Sequence, residues 1–402
     1  MSRSDNLVAM KSSRRRTTSH RPTNQPYRIG IDARFYRKST GGLGRYTREL
    51  LKGLAALDDH NQYYVFLTEA DLNEWELDQP NFIPIVTNIQ HYSVAEQTKF
   101  LTFLNQQQLD LVHFLNFNHP VLYRKPFVTT LHDLTMLHFP VATKNGKKSA
   151  FKFQLFKRVF IRSLAAAKRV IAISEYSAAD AEKTLGISHA KMEVVYEGCP
   201  IPEKLEFGSK KVIQDFIGSR QPYFLFVSQW RAHKGILTLL DGFAEFKRKT
   251  GLPHILVIAG KPDAAAADVK AALAAHPFAS DICTPGFVPD ELLPGLYSYT
   301  SGFIMPSEYE GFGLPVLEAL MYGAPTIVAN NSSLPEVGGK AVLYFPTNDG
   351  IALAENMAIV AKNPSMVEQL RAAIPAQLAK FSWEKCADET LEVYASILEK
   401  RR

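Results

Sequence analysis

Short apolar runs recur along the chain and alternate with longer segments of mixed polarity. Each run has four to six residues and is rich in β-branched or aromatic side chains, which predicts a buried strand, and the longer segments predict helices. The predicted strands are Tyr27–Ile31, Tyr63–Leu67, Leu111–Phe114, Phe127–Leu131, Val170–Ser174, Glu193–Tyr196, Tyr223–Ser228, Ile255–Ala259, Gly302–Met305 and Thr326–Ala329. This alternation indicates βα units and parallel sheets.

A polar segment at 201–220 interrupts the alternation and predicts a linker between two halves. The predicted fold class is therefore α/β, with two Rossmann-like domains, 27–200 and 221–382, that face a cleft. Residues 383–402 predict a final helix that would pack back on the first domain. Ligands of parallel α/β sheets bind outside the carboxyl ends of the strands, so the cleft is the expected site.

The chain has 402 residues and a net charge of +6, of which residues 1–26 carry +5. This basic tail lacks hydrophobic periodicity and is predicted to be disordered. It is a solubilising extension, the product of an upstream start before Met10, or a weak tether to anionic lipid head groups. The rest of the chain is close to neutral, so no nucleic-acid partner is expected.

Apolar runs in this chain fall short of the roughly 18 residues that span a bilayer, and its first residues lack the apolar core of a signal peptide. The 3 cysteines are widely spaced and form no metal-ligand pattern. We therefore expect a cytoplasmic protein without a metal site, with peripheral contact at the inner face of the cell membrane as one alternative.

The segment 306–319 carries the strongest chemical signal. It leads from a predicted strand through a glycine-bearing loop into a helix with Pro315 near its first position. The free N–H groups and positive dipole end of such a helix suit a phosphate. Glu310 in the loop and Glu318 in the helix can face the same ligand, and carboxylates accept hydrogen bonds from hydroxyl groups. The pattern predicts a sugar and a ribose flanking a diphosphate, as in a nucleotide-sugar.

Other loops that follow predicted strands carry further candidates. Gly42 and Gly44 lie in a glycine loop that either approaches a ligand closely or is only a tight turn. Arg231 and Lys234 suit a diphosphate, unless they are solvated loop charges. His132 lies at the end of a predicted strand. It is either a structural hydrogen-bonding residue or a residue that bonds a sugar hydroxyl or a reacting oxygen.

The stretch 147–169 is basic and rich in phenylalanine, with apolar residues at helical spacing. It predicts either a packed helix with a solvated basic face or a helix that lies on a membrane surface.

Together these segments resemble glycosyltransferase family 4, whose members have the two-domain GT-B fold. The resemblance runs from about residue 27 to the end of the chain. It rests on Glu310 and Glu318 with seven residues between them, and on the segments 41–47, 132–133, 174–177 and 334–337. It implies retaining transfer of a sugar from a nucleotide-sugar to a glycan or lipid-linked glycan, without an essential metal or a further cofactor.

The resemblance also implies a role for each site residue. Glu310 and His132 would be catalytic, with Glu310 on the hydroxyls of the donor sugar and His132 beside the anomeric centre. Glu318 would bind the ribose hydroxyls, Lys234 the diphosphate and Val288, through its backbone, the base. The remaining donor-binding positions would be Gly42, Gly44, Gly311, Phe312, Gly313 and Leu314.

One position departs from the family pattern, because Gln229 stands where many members carry an arginine. Arg231, or in part His233, could supply that charge. The segments 41–47 and 132–133 look most like those of bacterial mannosyl- and rhamnosyl-type transferases for surface polysaccharides. This resemblance favours mannose as the sugar and GDP-mannose as the donor, ahead of UDP-glucose and related donors.

Two alternatives come from other classes of protein. A nucleotide-dependent oxidoreductase would need the G-x-G-x-x-G fingerprint, which neither half contains. A non-catalytic protein that binds a sugar nucleotide or a glycan is the other alternative, and Gln229 is its main support.

Overall fold

Two parallel β-sheets, one in each half of the chain, carry the fold. The computed structural model describes residues 25–140, 146–199, 208–262 and 266–401, with the backbone alone for 146–152 and 401. Most of the predicted basic tail, including Arg14–Arg16, and the side chains of Lys148 and Lys152 lie outside this description.

The first sheet has seven strands in the order β3-β2-β1-β4-β5-β6-β7, and all neighbours are parallel. Its strands are β1 Arg28–Asp32, β2 Gln62–Leu67, β3 Phe82–Val86, β4 Leu111–Phe114, β5 Phe127–Leu131, β6 Arg169–Ala172 and β7 Met192–Val194. The helices in this half are α1 Gly42–Leu57, α2 Glu69–Leu72, α3 Leu101–Gln106, α4 Thr135–His138, α5 Gly146–Ala166 and α6 Glu175–Leu185.

The second sheet has six parallel strands in the order β10-β9-β8-β11-β12-β13. Its strands are β8 Tyr223–Val227, β9 Ile255–Ala259, β10 Ile282–Gly286, β11 Gly302–Met305, β12 Thr326–Ala329 and β13 Val342–Phe345. The helices that follow the first sheet are α7 Lys210–Ile217, α8 Ile236–Thr250, α9 Ala267–Ala274, α10 Leu293–Tyr299, α11 Leu314–Met321, α12 Leu334–Gly338, α13 Gly350–Lys362, α14 Pro364–Leu378 and α15 Trp383–Leu398.

The predicted fold class is confirmed, and every predicted strand is present within two residues of its expected ends. Three strands were missed: β3, β10 and β13, each at the edge of a sheet. Edge strands bury fewer side chains than central ones, and they tolerate proline, which occurs in β3 as Pro84 and in β10 as Pro285. The sequences of β3 and β10 therefore lack the continuous apolar run that marks the central strands, whereas β13, Val342–Phe345, is apolar throughout and was overlooked.

The predicted linker is too long. Residues 210–217 form α7, which buries Ile213 and Ile217 and packs against β10 of the second domain. This amphipathic helix exposes lysines on its outer face, so its sequence reads as polar. Residues 201–207 of the predicted linker lie outside the described residues.

Helix α15 leaves the second domain and packs along α1 of the first. A methyl group at Gly53 would lie 2.6 Å from the Ala387 side chain, so the two helices touch closely. The Tyr394 hydroxyl lies 2.6 Å from Nδ1 of His113, inside the first domain. The first domain is thus built from two separate parts of the chain.

Helix α5 packs on the first domain through Phe156 and Phe160, whose rings lie 5.5 Å and 4.1 Å from that of Phe117. Arg158 and Arg162 are exposed on its other side. Packing and a solvated basic face therefore coexist. Among the described residues, no helix combines the length and the apolarity needed to cross a bilayer.

Candidate active site

The loop between β11 and α11, residues 306–313, forms the floor of the cleft and is called the donor loop, because the sequence predicts that it binds the donor. Gly313 caps α11 with φ 112°, a conformation that favours glycine, and Pro315 is the second residue of the helix. Ser332 accepts a hydrogen bond from the N–H of Glu310 at 3.0 Å. The Ser333 hydroxyl lies 2.7 Å from the carbonyl oxygen of Phe312. Two serines of the following loop therefore fix the shape of this segment.

This loop leaves a row of backbone donors at the start of α11. Within the described part of the chain, no hydrogen bond is made by the N–H groups of Gly311, Phe312, Gly313 or Leu314. The Phe312 ring is turned away from them and packs on Phe381, with ring centres 5.5 Å apart. Orphan N–H groups at a helix start carry partial positive charge, so the loop forms a cradle for an anion.

Glu310 and Lys234 form a close ion pair beside this cradle. The Lys234 ammonium lies 2.7 Å and 2.9 Å from the two carboxylate oxygens of Glu310. Both side chains are largely buried, at 16% and 11% exposed. Their loops meet at Gly235, where an added methyl group would lie 2.0 Å from the carbonyl oxygen of Pro306. Two predicted site residues from different strand tips are thus in direct contact.

Glu318 is held from both sides. The Tyr297 hydroxyl donates to one carboxylate oxygen at 2.9 Å, and the guanidinium of Arg45, from the first domain, pairs with the other. The Glu318 side chain is 13% exposed. This contact spans the cleft and joins α11 to the first turn of α1.

The predicted glycine loop is helical from Gly42 onward, because α1 begins at that residue. A methyl group on Gly42 would meet no atom within 4 Å, so its surface is open. On Gly44 it would lie 2.2 Å from the carbonyl oxygen of Arg37. Close packing of the turn therefore explains Gly44, and Gly42 is the position that remains accessible.

The structure places His132 at the domain boundary, but its ring is engaged by the protein. Nε2 donates to the carbonyl oxygen of Leu115 at 2.9 Å, and Nδ1 lies 3.5 Å from the buried carboxylate of Glu197. The Tyr46 ring meets it edge-on at 4.8 Å. The part of His132 nearest the donor loop is its carbonyl oxygen, 2.3 Å from where a Gly311 side chain would begin. Only glycine allows this approach.

Hydrogen bonds fix the donor loop to the first domain. The Ser174 hydroxyl donates to the carbonyl oxygen of Gly311 at 2.7 Å. The Tyr309 hydroxyl donates to Asp180 at 2.7 Å and accepts from the N–H of Leu134 at 3.1 Å. Tyr309 packs in the apolar core of the first domain, although it belongs to the second.

A second link joins α12 to α6. The carboxylate of Glu336 accepts hydrogen bonds from the N–H groups of Glu175 and Tyr176, at 2.9 Å and 2.8 Å. It thereby caps the start of α6 from the other domain. Burial raises the pKa of Glu336, and these hydrogen bonds oppose that rise. Two of the segments on which the family resemblance rests therefore meet in space.

The remaining predicted residues lie at neighbouring strand tips. Arg231 is exposed in the loop after β8. Val288 follows β10, and its side chain is buried, so a ligand contact there would have to use the backbone. Burial lowers the pKa of His233 to about 4, which leaves it neutral at pH 7. A neutral imidazole carries no charge, which argues against His233 as a partial replacement for the arginine missing at Gln229.

Sequence reasoning missed several of the residues that shape this site: Arg45, Tyr297, Tyr309 and Glu197. Arg45 lies within the segment 41–47 and Tyr309 within the segment 306–319, but the sequence near them does not indicate which residues they contact. Asp32, His91 and Glu96 also lie near one another. The Arg34 guanidinium bonds both carboxylates, at 2.7 Å and 2.8 Å, and we assign that group a structural role.

Comparisons with known proteins agree with this geometry. The family described as "Glycosyltransferase Family 4" matches residues 40–201, and that described as "Glycosyl transferases group 1" matches residues 210–377. The O-antigen chain mannosyltransferase B of Escherichia coli is 27% identical over 378 residues, covering 88% of this chain and 95% of that protein.

Solved structures show the same fold. The sucrose-phosphate synthase of Thermosynechococcus elongatus superposes with a TM-score of 0.72 at 21% identity, covering 93% of this chain and 100% of that one. Anabaena HepE, in complex with UDP and glucose, gives a TM-score of 0.69 at 18% identity, covering 92% and 100%.

The fold and the family matches define a GT-B glycosyltransferase, an enzyme that transfers sugars. The chain belongs to glycosyltransferase family 4, and the two family matches account for most of its length.

Proposed function

We propose that this enzyme transfers a hexose, with mannose favoured, from a nucleotide-sugar to a glycan or lipid-linked glycan, with retention of configuration. The observation that carries the proposal is the Lys234–Glu310 pair beside the unbonded N–H groups at the start of α11. A fixed cation and fixed N–H groups stabilise the charge of a departing diphosphate without reorganising. Glu310 stands beside them as an acceptor for sugar hydroxyls.

The family resemblance implies a front-face reaction. The bond between the anomeric carbon and the phosphate oxygen breaks, and its electron pair stays on the phosphate. The acceptor hydroxyl oxygen bonds to the anomeric carbon from the same side and gives its proton to a phosphate oxygen. The products are a nucleoside diphosphate and the extended glycan.

Similarity over almost the whole chain to an O-antigen chain mannosyltransferase supports mannose as the sugar, GDP-mannose as the donor and a surface polysaccharide as the product. A UDP-sugar is the alternative donor, because a structure of the same fold holds UDP and glucose. Surface polysaccharides grow on lipid carriers, so we also propose cytoplasmic action with peripheral contact to the inner membrane face, through the exposed arginines of α5.

The test is a thermal-shift screen with GDP-mannose, UDP-glucose, GDP and UDP, followed by mass spectrometry of the product. A donor at about 100 times its dissociation constant should add about 2.7 kcal/mol of stability. NMR of the new linkage then reports retention or inversion. Stabilisation by none of the four ligands would contradict the proposal. Binding of a donor without hydrolysis or transfer would favour the non-catalytic alternative.

A further inference from the structure

Arg45 reaches across the cleft. It lies in the first turn of α1, directly after the glycine loop, and one guanidinium nitrogen pairs with Glu318 of α11. The Arg45 side chain is 35% exposed, whereas that of Glu318 is 13% exposed. The guanidinium therefore stands at the boundary of the two domains with one side open to the cleft.

A comparison with Arg34 shows what is unusual about Arg45. Arg34 is fully buried, and it bonds Asp32, Glu96 and the carbonyl oxygen of Ile89 with four hydrogen bonds at 2.7 Å or 2.8 Å. A guanidinium carries five N–H donors. In the described part of the chain, the Arg45 side chain bonds Glu318 alone. Arg34 uses most of its N–H donors within the fold, whereas Arg45 has N–H donors left that could bind a ligand.

A ribose bound at Glu318 would compete with the two present partners of that carboxylate for its acceptor positions. Tyr297 occupies one carboxylate oxygen and Arg45 the other. A ribose diol needs at least one of them as an acceptor. Arg45 is the more exposed of the two partners, so it is the one that can move.

We propose that Arg45 is a ligand of the donor diphosphate, held by Glu318 until the donor binds. Glu318 lies four positions after Leu314 in α11, a rise of about 6 Å, which a guanidinium can span by turning on its stem. The ribose takes its place on the carboxylate, and the guanidinium turns to the diphosphate above the N–H groups of the helix start. This inference rests on the proposed function and names a further cation of that site.

The local charges favour this assignment. Gln229 leaves a family position without its arginine. Lys234 already pairs with both oxygens of Glu310, so only part of its positive charge would serve a diphosphate. His233 is neutral, because burial holds its pKa at about 4. A second cation from the first domain completes the charge only while the domains are closed.

Arg45 in this position would also stabilise the leaving group. As the bond from the anomeric carbon breaks, its electron pair moves to the phosphate oxygen, which the Arg45 guanidinium stabilises without losing a proton. If the two domains were apart, the diphosphate would lack this cation. Donor hydrolysis would therefore be suppressed until the first domain closes on the second.

The experiment compares Arg45→Gln and Arg45→Lys with Arg48→Gln, one turn further along α1, where Arg48 bonds the carbonyl oxygen of Tyr36 at 2.7 Å. Calorimetry measures the dissociation constants of GDP and guanosine, and of UDP and uridine, for each protein. Thermal melting checks that each variant is folded.

We expect Arg45→Gln to weaken diphosphate binding about 10- to 100-fold, or about 1.4–2.8 kcal/mol, while nucleoside binding is unchanged or tighter because Glu318 is released. Arg45→Lys should recover part of the loss, and Arg48→Gln should match wild type. Unchanged diphosphate binding in Arg45→Gln, or an equal loss for diphosphate and nucleoside, would overturn the inference alone. Wild-type protein that binds neither diphosphate would overturn the proposed function and the inference with it.

Discussion

Tyr309 of the second domain donates its hydroxyl hydrogen to Asp180 of the first, over 2.7 Å. It stands next to Glu310 in the donor loop, so the loop that carries the proposed catalytic carboxylate is anchored in the opposite domain. His138 bonds the same Asp180 oxygen at 2.8 Å. Domain closure and the shape of the donor site are therefore linked through one side chain.

Tyr309→Phe tests this link. It removes the hydroxyl but keeps the ring in the core of the first domain, so we expect a loss of about 1–3 kcal/mol in stability from the groups left unpaired. The turnover number should fall more than the Michaelis constant for the donor rises, because closure rather than donor contact is affected. Urea unfolding and steady-state kinetics measure both. Tyr344→Phe, which removes a 2.7 Å bond to Gly339 within the second domain, is the control and should keep wild-type turnover.

Glu310→Ala should abolish transfer and leave the protein folded. We expect at least a 100-fold loss of turnover, about 3 kcal/mol in the barrier. Binding of free nucleoside diphosphate should persist or improve, because Lys234 loses its partner. Product formation by mass spectrometry and calorimetry with GDP measure the two effects. Turnover within a few-fold of wild type would remove Glu310 from the catalytic role.

Lys234→Ala should weaken nucleoside diphosphate binding by about 1.5–3 kcal/mol, the range for a hydrogen bond to a charged group. Arg231→Ala makes the matched comparison, since Arg231 lies in the same loop but is exposed. If Arg45 supplies the second cation, the loss in Arg231→Ala is the smaller one. Equal losses of nucleoside diphosphate affinity in the two variants would instead indicate that Arg231 replaces the arginine missing at Gln229.

Stability should fall in mild acid because of His113. Burial lowers its pKa to about 3 in the folded protein, whereas an unfolded histidine titrates near 6.5. As the pH falls below 6.5, His113 binds a proton in the unfolded chain but not in the folded protein. The free energy of unfolding therefore declines down to about pH 3. At pH 5 this amounts to about 2 kcal/mol. The loss between pH 7 and pH 5, measured by urea unfolding, should be smaller by about that amount in His113→Gln. The exposed His60→Gln control should keep the wild-type loss, and an unaltered loss in His113→Gln would contradict the assignment.

The exposed face of α5 should bind anionic lipid. Each basic side chain near such a surface contributes about 1 kcal/mol, so Arg158→Glu with Arg162→Glu should weaken vesicle binding by at least about 2 kcal/mol. Lys210→Glu with Lys211→Glu makes the same charge change on α7 and should have little effect. Sedimentation with anionic and neutral vesicles at low and high salt measures the binding, and donor hydrolysis should be unchanged in both variants. No preference for anionic vesicles at low salt would favour a soluble acceptor.

The central strands and the donor loop could be predicted from the sequence because their signals are local. A buried parallel strand is a continuous apolar run, and the loop before α11 combines glycines, a proline and two glutamates within one segment. The pair of Lys234 with Glu310 also follows from topology, since β8 and β11 are neighbours in the sheet.

The contacts between the domains could not be predicted in this way. Arg45 with Glu318 and Tyr309 with Asp180 depend on the angle at which two separate sheets meet, which no pattern within either half encodes. The orientation of the His132 ring was also beyond reach, because Leu115 and Glu197, which fix it, come from different loops of the first domain.

The return of α15 to the first domain has a consequence for biosynthesis. The α1 surface that α15 covers, and the partner of His113 at Tyr394, are supplied only after the whole second domain has been translated. On the ribosome, the apolar surface of α1 that contacts α15 therefore stays exposed while the second half of the chain is translated and folds. Chaperone binding to nascent chains should accordingly persist until α15 emerges.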